Sequence, residues 1–396
     1  MEEARMMMFD LPDDVRDVQQ MVRRVATERV APRAHQIDRS GEYPQDMFDL
    51  LRELGMFTLP FPKEHGGMGS QLAACVAVEE LARVCYNTAY LLIVQWVPFG
   101  AILFGGDEAQ KARFLPGLAD GSLRSAVAVT EPQSGSDVAG IRTRAVREGD
   151  AYRINGQKIW STNSAIADFV LVAAKTGASD STGEINFFIV EKGTKGFEIG
   201  RKEDKLGARG VPSNALHFED VIVPAANRLG PEGKGFKIVM EAFNQSRPII
   251  GARGVGLAQG AMELARDFIL ERQAFGQAVS DFQGVRWMIA DMATGIEASR
   301  LLVYRAAALV DAGKTGTELA AAAAMAKRFA TDTAMQVAQD AVQLFGAAGI
   351  SSEVPINRYF RDAKVLQIIE GTNQIQRNII SNTVLGRPRS SARGAR

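Results

Sequence analysis

Apolar positions recur at two periods along the chain, and the changes of period divide it in three. From about residue 12 to 122 the period is helical. Val15, Val18, Met21, Val22, Val25 and Ala26 fall on one face. "MFDLLRELGMF" carries a second face, and its Gly55 marks a helix end. "PFPKEHGGMGS" (60–70) has loop chemistry, and further helices are predicted over about 71–85, 87–105 and 108–120. From 123 to 232 the pattern is that of strands. "SAVAVTE" precedes "TRAVREGDAYRINGQKIWST", which predicts strands turning at Glu148-Gly149-Asp150 and at Asn155-Gly156. "DFVLVAAKT", "INFFIVEK" and "NALHFEDVIVP" complete a small antiparallel β-domain. From 233 onward the helices return and are long, the third ending at Gly346. Small residues along them permit close packing, so a bundle of near-antiparallel helices is expected. The expected fold is mainly α with a central β domain: a helical domain over 1–122, a β domain over 123–232 and a helical bundle over 233–396.

Composition narrows the function classes. Lys plus Arg equals Asp plus Glu, at 46 each, which argues against wrapping nucleic acid or an anionic membrane. The tail Arg387–Arg396 carries four Arg and no acid, and is expected to fray. "MEEARMMMFDLPDD" is too acidic for a targeting peptide. The most apolar stretch, "TAYLLIVQWVPFGAILF", is interrupted by Gln95, Pro98 and Gly100, so it is expected as buried helix rather than a membrane span. Two cysteines, Cys75 and Cys85, exclude a disulfide framework, and a reducing cytoplasm is the simple expectation. Three scattered histidines form no metal-ligand cluster, so no metal is expected.

Candidate chemistry sits in three stretches. "QIIEGTNQIQRNIISN" (367–382) places Glu370 between an apolar pair, Ile368 and Ile369, and a Gly-Thr step. Gly371 permits a tight turn, and Thr372 suits the N-cap of a helix with Ile375, Ile379 and Val384 facing inward. On these residues alone, Glu370 is either an acid favoured by the helix dipole or a positioned catalytic base. "AVTEPQSGSDVAG" (128–140) follows a strand with hydroxyls and main-chain N–H groups suited to a flat polar ring and a phosphate. "QKIWSTNSA" (157–165) sets Trp160 beside two hydroxyls at a strand end. "GARGVG" lacks the spacing and βαβ context of a dinucleotide site, and no P-loop, nucleophile-elbow or zinc-protease motif occurs.

Taken in order, "VTEPQSGSDVAG", "NGQKIWSTN", "FEDVIVP", "SRPIIGARGVGLAQ", "ERQAFGQ", "DAVQLFGAAG" and "RDAKVLQIIEGTNQIQR" resemble the acyl-CoA dehydrogenase family over about residues 12 to 386. The resemblance implies a helical domain, a β-barrel-like middle domain and a C-terminal four-helix bundle. It also implies an FAD-dependent α,β-dehydrogenation of an acyl-CoA to a trans-2-enoyl-CoA. Glu370 would take the α-proton while the β-hydrogen leaves as hydride to flavin N5. The Glu370 N–H would donate to the thioester oxygen, and loss of one such donor costs about 3 kcal/mol in the transition state. Water exclusion by the acyl chain would raise the Glu370 pKa.

By the same resemblance, Val127, Val129, Thr130 and Ser136 belong to the flavin-contacting segment, with Ser136 also near CoA phosphate. Trp160, Ser161 and Thr162 would cover the ring and approach N5. Arg272 and Phe275 would reach the FAD of a neighbouring subunit. Gln283, Gln343, Gly346, Thr372 and Gln374 would supply further cofactor contacts, and Asn244, Arg247 and Gly371 would lie at the substrate. A homo-oligomer, in this family mostly a tetramer, and an electron-transferring flavoprotein as acceptor are implied. Ser246 stands where some members carry the base, which strengthens Glu370. Ile369 replaces a frequent Tyr, Ala347 a Gly or Ser, and Trp96 either reshapes the acyl pocket or is core. Arg83 has no assigned place. Specialised activity on dicarboxylic, branched or alicyclic esters, use of dioxygen as an oxidase, and a silent flavin- or CoA-binding scaffold stay open as alternatives.

Overall fold

The computed structural model describes residues 10–177 and 182–386. The basic tail and the first nine residues of the acidic start lie outside the described residues.

The helices in chain order are α1 (Asp13–Val25), α2 (Ala31–Ser40), α3 (Gln45–Glu53), α4 (Gln71–Ala82), α5 (Tyr86–Gly105) and α6 (Glu108–Ala119). After the strands come α7 (Gly235–Glu271), α8 (Gln283–Asp311), α9 (Gly316–Phe345), α10 (Ile356–Ile368) and α11 (Asn373–Leu385). The strands are β1 (Ser125–Ala128), β2 (Arg144–Glu148), β3 (Ala151–Thr162), β4 (Phe169–Lys175), β5 (Ile185–Glu191), β6 (Phe197–Lys202), β7 (Ser213–Pro224), and a small hairpin, β8 (Gln273–Ala274) and β9 (Gln277–Ala278). A helical start, a central sheet and helical C-terminal elements thus follow the order expected. The apolar α5 is long enough to cross a bilayer, yet most of it is buried inside the protein.

Two compact units interleave along the chain. Among the described residues, one falls within 1–36, 70–89 and 247–396; the other falls within 37–69 and 90–246. In the first unit, small residues set the packing distance. A Cβ at Gly256 would lie 2.0 Å from the Glu79 carbonyl oxygen, and one at Gly260 would lie 1.9 Å from that of Arg83. Polar contacts tie α4 to α8 and to α7. Arg300 Nε meets Glu79 Oε1 at 2.8 Å, the Tyr304 hydroxyl donates to Glu79 Oε2 at 3.0 Å, and Arg83 Nη1 meets Glu263 Oε2 at 2.8 Å. Arg83 therefore braces α4 against α7.

In the second unit, a seven-stranded sheet runs β1-β4-β2-β3-β7-β6, with β5 on β4. The sheet is mixed rather than antiparallel: β1 pairs with β4 in parallel from Ser125↔Phe169 to Ala128↔Val172. The β2–β3 hairpin lies between them in sequence and returns β4 in the direction of β1. The hairpin turns at Gly149, φ +60°, as expected. Asn155-Gly156 is not a turn. It is a bulge inside β3, where Gly156 approaches Thr143 so closely that a Cβ would lie 2.5 Å from Oγ1. β4 and β5 are buried along nearly their whole length, which explains their unbroken apolar runs. Trp96 is core: its indole N–H donates to the Phe57 carbonyl at 2.8 Å.

Candidate functional site

In the first unit, α10 and α11 are separated by a short break, and Glu370 lies in it. Ile369 is extended, and then Glu370 (φ +51°) and Gly371 (φ +87°) both adopt left-handed backbone. Glycine takes this conformation freely, whereas a glutamate there costs on the order of 1–2 kcal/mol. The surroundings hold it. Lys327 Nζ donates to the Gly371 carbonyl at 3.0 Å, and Gln376 Nε2 donates to the same oxygen at 2.9 Å and to that of Glu370 at 3.3 Å. The Thr372 hydroxyl caps α11 by accepting from Ile375 N. Asn373 Oδ1 accepts from Lys327 Nζ at 2.8 Å, and its Nδ2 donates to Asp332 at 2.6 Å.

This anchoring overturns the expected burial. Asn373 and Gln376 are the buried residues of α11, Val384 is exposed, and Ile375 and Ile379 are only half-buried. Ile368 is 56% exposed and Ile369 half-buried. Asn373 turns inward because α9 meets it with Lys327, Thr331 and Asp332, and Gln376 because it donates to the carbonyls of the break.

Two buried cations sense the Glu370 charge. Burial lowers the Arg247 pKa, and the Glu370 carboxylate draws it back up. Burial pushes Lys327 down to about 7, again against the pull of Glu370. A Cβ on Gly371 would stand 3.9 Å from Arg247 Nη2, so this guanidinium lies against the same step. A carboxylate presented on a fixed backbone is suited to accept a proton from a weak carbon acid next to a polarised carbonyl. Gln374, on the same helix, is exposed.

In the second unit, a strand-end face collects the other predicted residues. The Thr130 carbonyl accepts from Ile159 N at 2.9 Å, and the Ser161 hydroxyl donates to the Val127 carbonyl at 3.2 Å. A register shift between Lys158 and Ser161 turns Trp160 outward, with φ +58° and 51% exposure. Beneath it, Lys158 Nζ donates to the Val129 carbonyl at 3.0 Å and to Glu131 Oε1 at 2.7 Å. Burial raises the Glu131 pKa, but Lys158 and the N–H groups of Arg142 and Thr143 outweigh it and hold the carboxyl at about 2. Burial lowers Lys158 to about 8. The buried pair fixes the main chain at Val129. Ser136 is exposed in the following loop. An exposed indole, aligned main-chain groups and a hydroxyl fit a flat heteroaromatic ring such as isoalloxazine.

Arg272 and Phe275 belong to the β8–β9 hairpin. Phe275 is 97% exposed with φ +52°, followed by Gly276 at +80°. Gln283, Gln343 and Gly346 are exposed as well, and Asn244 is half-buried. Sequence reasoning missed Lys158, Glu131, Lys327 and Asn373. The signal was present: a lysine in the apolar-alternating "KIWST" and another inside "AAAAAMAKRFA". Among the described residues no group of three potential metal ligands occurs, and both cysteines are buried thiols.

Three family models cover the chain: the acyl-CoA dehydrogenase N-terminal domain over 12–122, the middle domain over 126–221 and the C-terminal domain over 233–385. Cyclohexane-1-carbonyl-CoA dehydrogenase of Geobacter metallireducens is 43% identical over 380 residues, 96% of this chain and 99% of that protein. The structure of butyryl-CoA dehydrogenase from Megasphaera elsdenii matches with a TM-score of 0.92 at 39% identity, covering 96% of this chain and all of the other. The FAD complex of PigA matches with a TM-score of 0.91 at 28% identity, covering 96% and 100%. The chain belongs to the acyl-CoA dehydrogenase family of flavoprotein oxidoreductases, with FAD as its cofactor.

Proposed function

We propose that the protein removes the α-proton of an acyl-CoA thioester with Glu370 and yields the trans-2-enoyl-CoA. The observation that carries this reading is the Glu370–Gly371 step: two successive left-handed residues, pinned by Lys327 and Gln376 and faced by buried Arg247. Bound FAD supplies the hydride acceptor. Lys327 and Gln376 hold the main chain on which the base is presented. Arg247 and Lys327 are electrostatically coupled to the carboxylate, and an acyl chain that displaces water from it strengthens that coupling. Val127, Val129, Thr130, Trp160, Ser161 and Thr162 are the proposed ring contacts, with Thr372 and Gln374 as further ones. Ser136, Asn244, Arg247 and Gly371 are the proposed substrate contacts.

The substrate favoured is an alicyclic or short acyl-CoA, since the two relatives above act on cyclohexane-1-carbonyl-CoA and butyryl-CoA by name. Arg83, engaged with Glu263, does not serve a dicarboxylate. An electron-transferring flavoprotein is the proposed acceptor. A homo-oligomer is proposed because Arg272, Phe275, Gln283, Gln343 and Gly346 lie exposed on the single chain.

The test is anaerobic titration of the yellow holoenzyme with both acyl-CoAs. Wild type should bleach. Glu370→Gln should keep its flavin while the rate of bleaching falls roughly 10²–10⁴-fold. A variant that bleaches at most of the wild-type rate sinks the assignment of the base. A wild type that no acyl-CoA bleaches favours the silent scaffold.

A further inference from the structure

Behind the proposed ring contact at Thr162 stands a second layer. Thr162 and Ser213 are cross-strand partners on β3 and β7, and their hydroxyl oxygens are 3.0 Å apart. Ser213 is buried, and Lys205 Nζ donates to its Oγ at 3.1 Å. Lys205 also donates to the Val211 carbonyl, which fixes the ammonium at the end of β7. On its outer side Lys205 lines a cleft of about 250 Å³ with Lys202 and Arg209.

The direction of these bonds follows from the groups themselves. An ammonium has donors and no acceptor. Ser213 Oγ must therefore accept from Lys205. Among the described residues the Ser213 hydroxyl meets no acceptor other than Thr162 Oγ1, so its own proton points there. Thr162 Oγ1 is then an acceptor toward Ser213, and the Thr162 proton is left to point outward. We infer that the Lys205–Ser213–Thr162 chain is a positioning device that sets Thr162 as a hydrogen-bond donor toward the flavin N5. The inference rests on the reading of Thr162 as a ring contact.

The consequence has a sign. Oxidised flavin accepts a hydrogen bond at N5, whereas the two-electron-reduced ring carries N–H there. A donor held in place by a charged group behind it favours the oxidised form. With the order removed, Thr162 turns to accept, and the flavin becomes easier to reduce.

The experiment is dye-coupled reductive titration of the FAD-loaded protein, which uses no acyl-CoA. Ser213→Ala should retain stoichiometric FAD while the reduced-to-oxidised ratio at fixed potential rises about tenfold, a shift of about +30 mV for a two-electron couple. Lys205→Met should shift the potential in the same direction, and Ser213→Thr, which keeps the hydroxyl, should return it to the wild-type value. Unchanged potentials in both Ser213→Ala and Lys205→Met overturn the inference. Equal shifts in Ser213→Ala and Ser213→Thr overturn it too, because packing rather than proton order would then be the cause. A wild type that binds FAD and resists every acyl-CoA, yet shows these shifts, leaves the chain standing and removes the dehydrogenase reading. A wild type that takes no FAD removes both.

Discussion

Among the described residues, six non-glycine residues have left-handed backbone, and three of them, Trp160, Phe275 and Glu370, are residues that the sequence motifs single out. Such strain persists only where neighbours over-determine it. At Glu370 those neighbours are Lys327 and Gln376, and Lys327 gives a measurable pH signature. Burial lowers it to about 7 in the folded protein, against about 10.4 in an unfolded chain. Between those values the unfolded state binds the extra proton, so stability rises with pH across the window. Urea midpoints at pH 7 and pH 9.5 should show this rise in wild type and a smaller one in Lys327→Met, where buried Lys158, held at about 8, still contributes with the same sign. Activity should fall in the variant as well, because the Gly371 carbonyl loses its hydrogen-bond donor. The break itself was legible, since Gly-Thr after an apolar run marks a stop and a cap. Its support was not, because periodicity assigns polar residues outward, whereas Asn373 is buried through hydrogen bonds to α9, far back in sequence, and Gln376 folds back onto the main chain of the break.

Close helix contact is the corresponding feature at the scale of elements. "GARGVGLAQGA" announces small residues for packing, and the structure gives the distances: Cβ atoms at Gly256 and Gly260 would lie about 2 Å from backbone oxygens of Glu79 and Arg83. Gly256→Ala and Gly260→Ala should each destabilise by about 1–3 kcal/mol or more, read as a lower melting temperature with helix content retained below it. Loss of the α11 cap in Thr372→Ala should cost about 1 kcal/mol and loosen the Glu370 step with it. Helix positions could be read to within a few residues because burial and period coincide there. Strand direction could not: β1 and β4 are alternating or apolar runs whichever way they pair, and only the intervening hairpin decides that they run parallel. Gly156 misled for a related reason, since a glycine that permits a bulge has the same sequence signature as one that permits a turn.

For the whole molecule, the exposed β8–β9 hairpin leads to a test of assembly. If Arg272 meets the cofactor of a second copy, Arg272→Ala should weaken FAD retention about 10-fold or more, the loss of a charge-assisted hydrogen bond. Light scattering should still report an assembly larger than one chain. A monomeric mass with full FAD content would remove the shared-cofactor reading.

The interleaving of the two units also bears on synthesis. Eleven of the twelve residues of α4 are buried, yet Glu79 waits for Arg300, 221 residues later in the chain. At a translation rate of roughly 5–20 residues per second, that is an interval of about ten to forty seconds. Throughout it, a nascent helix with apolar groups on every side emerges from the ribosome before its cover exists. A segment buried on nearly every side in the finished fold is thus, during synthesis, a binding site for a holding chaperone.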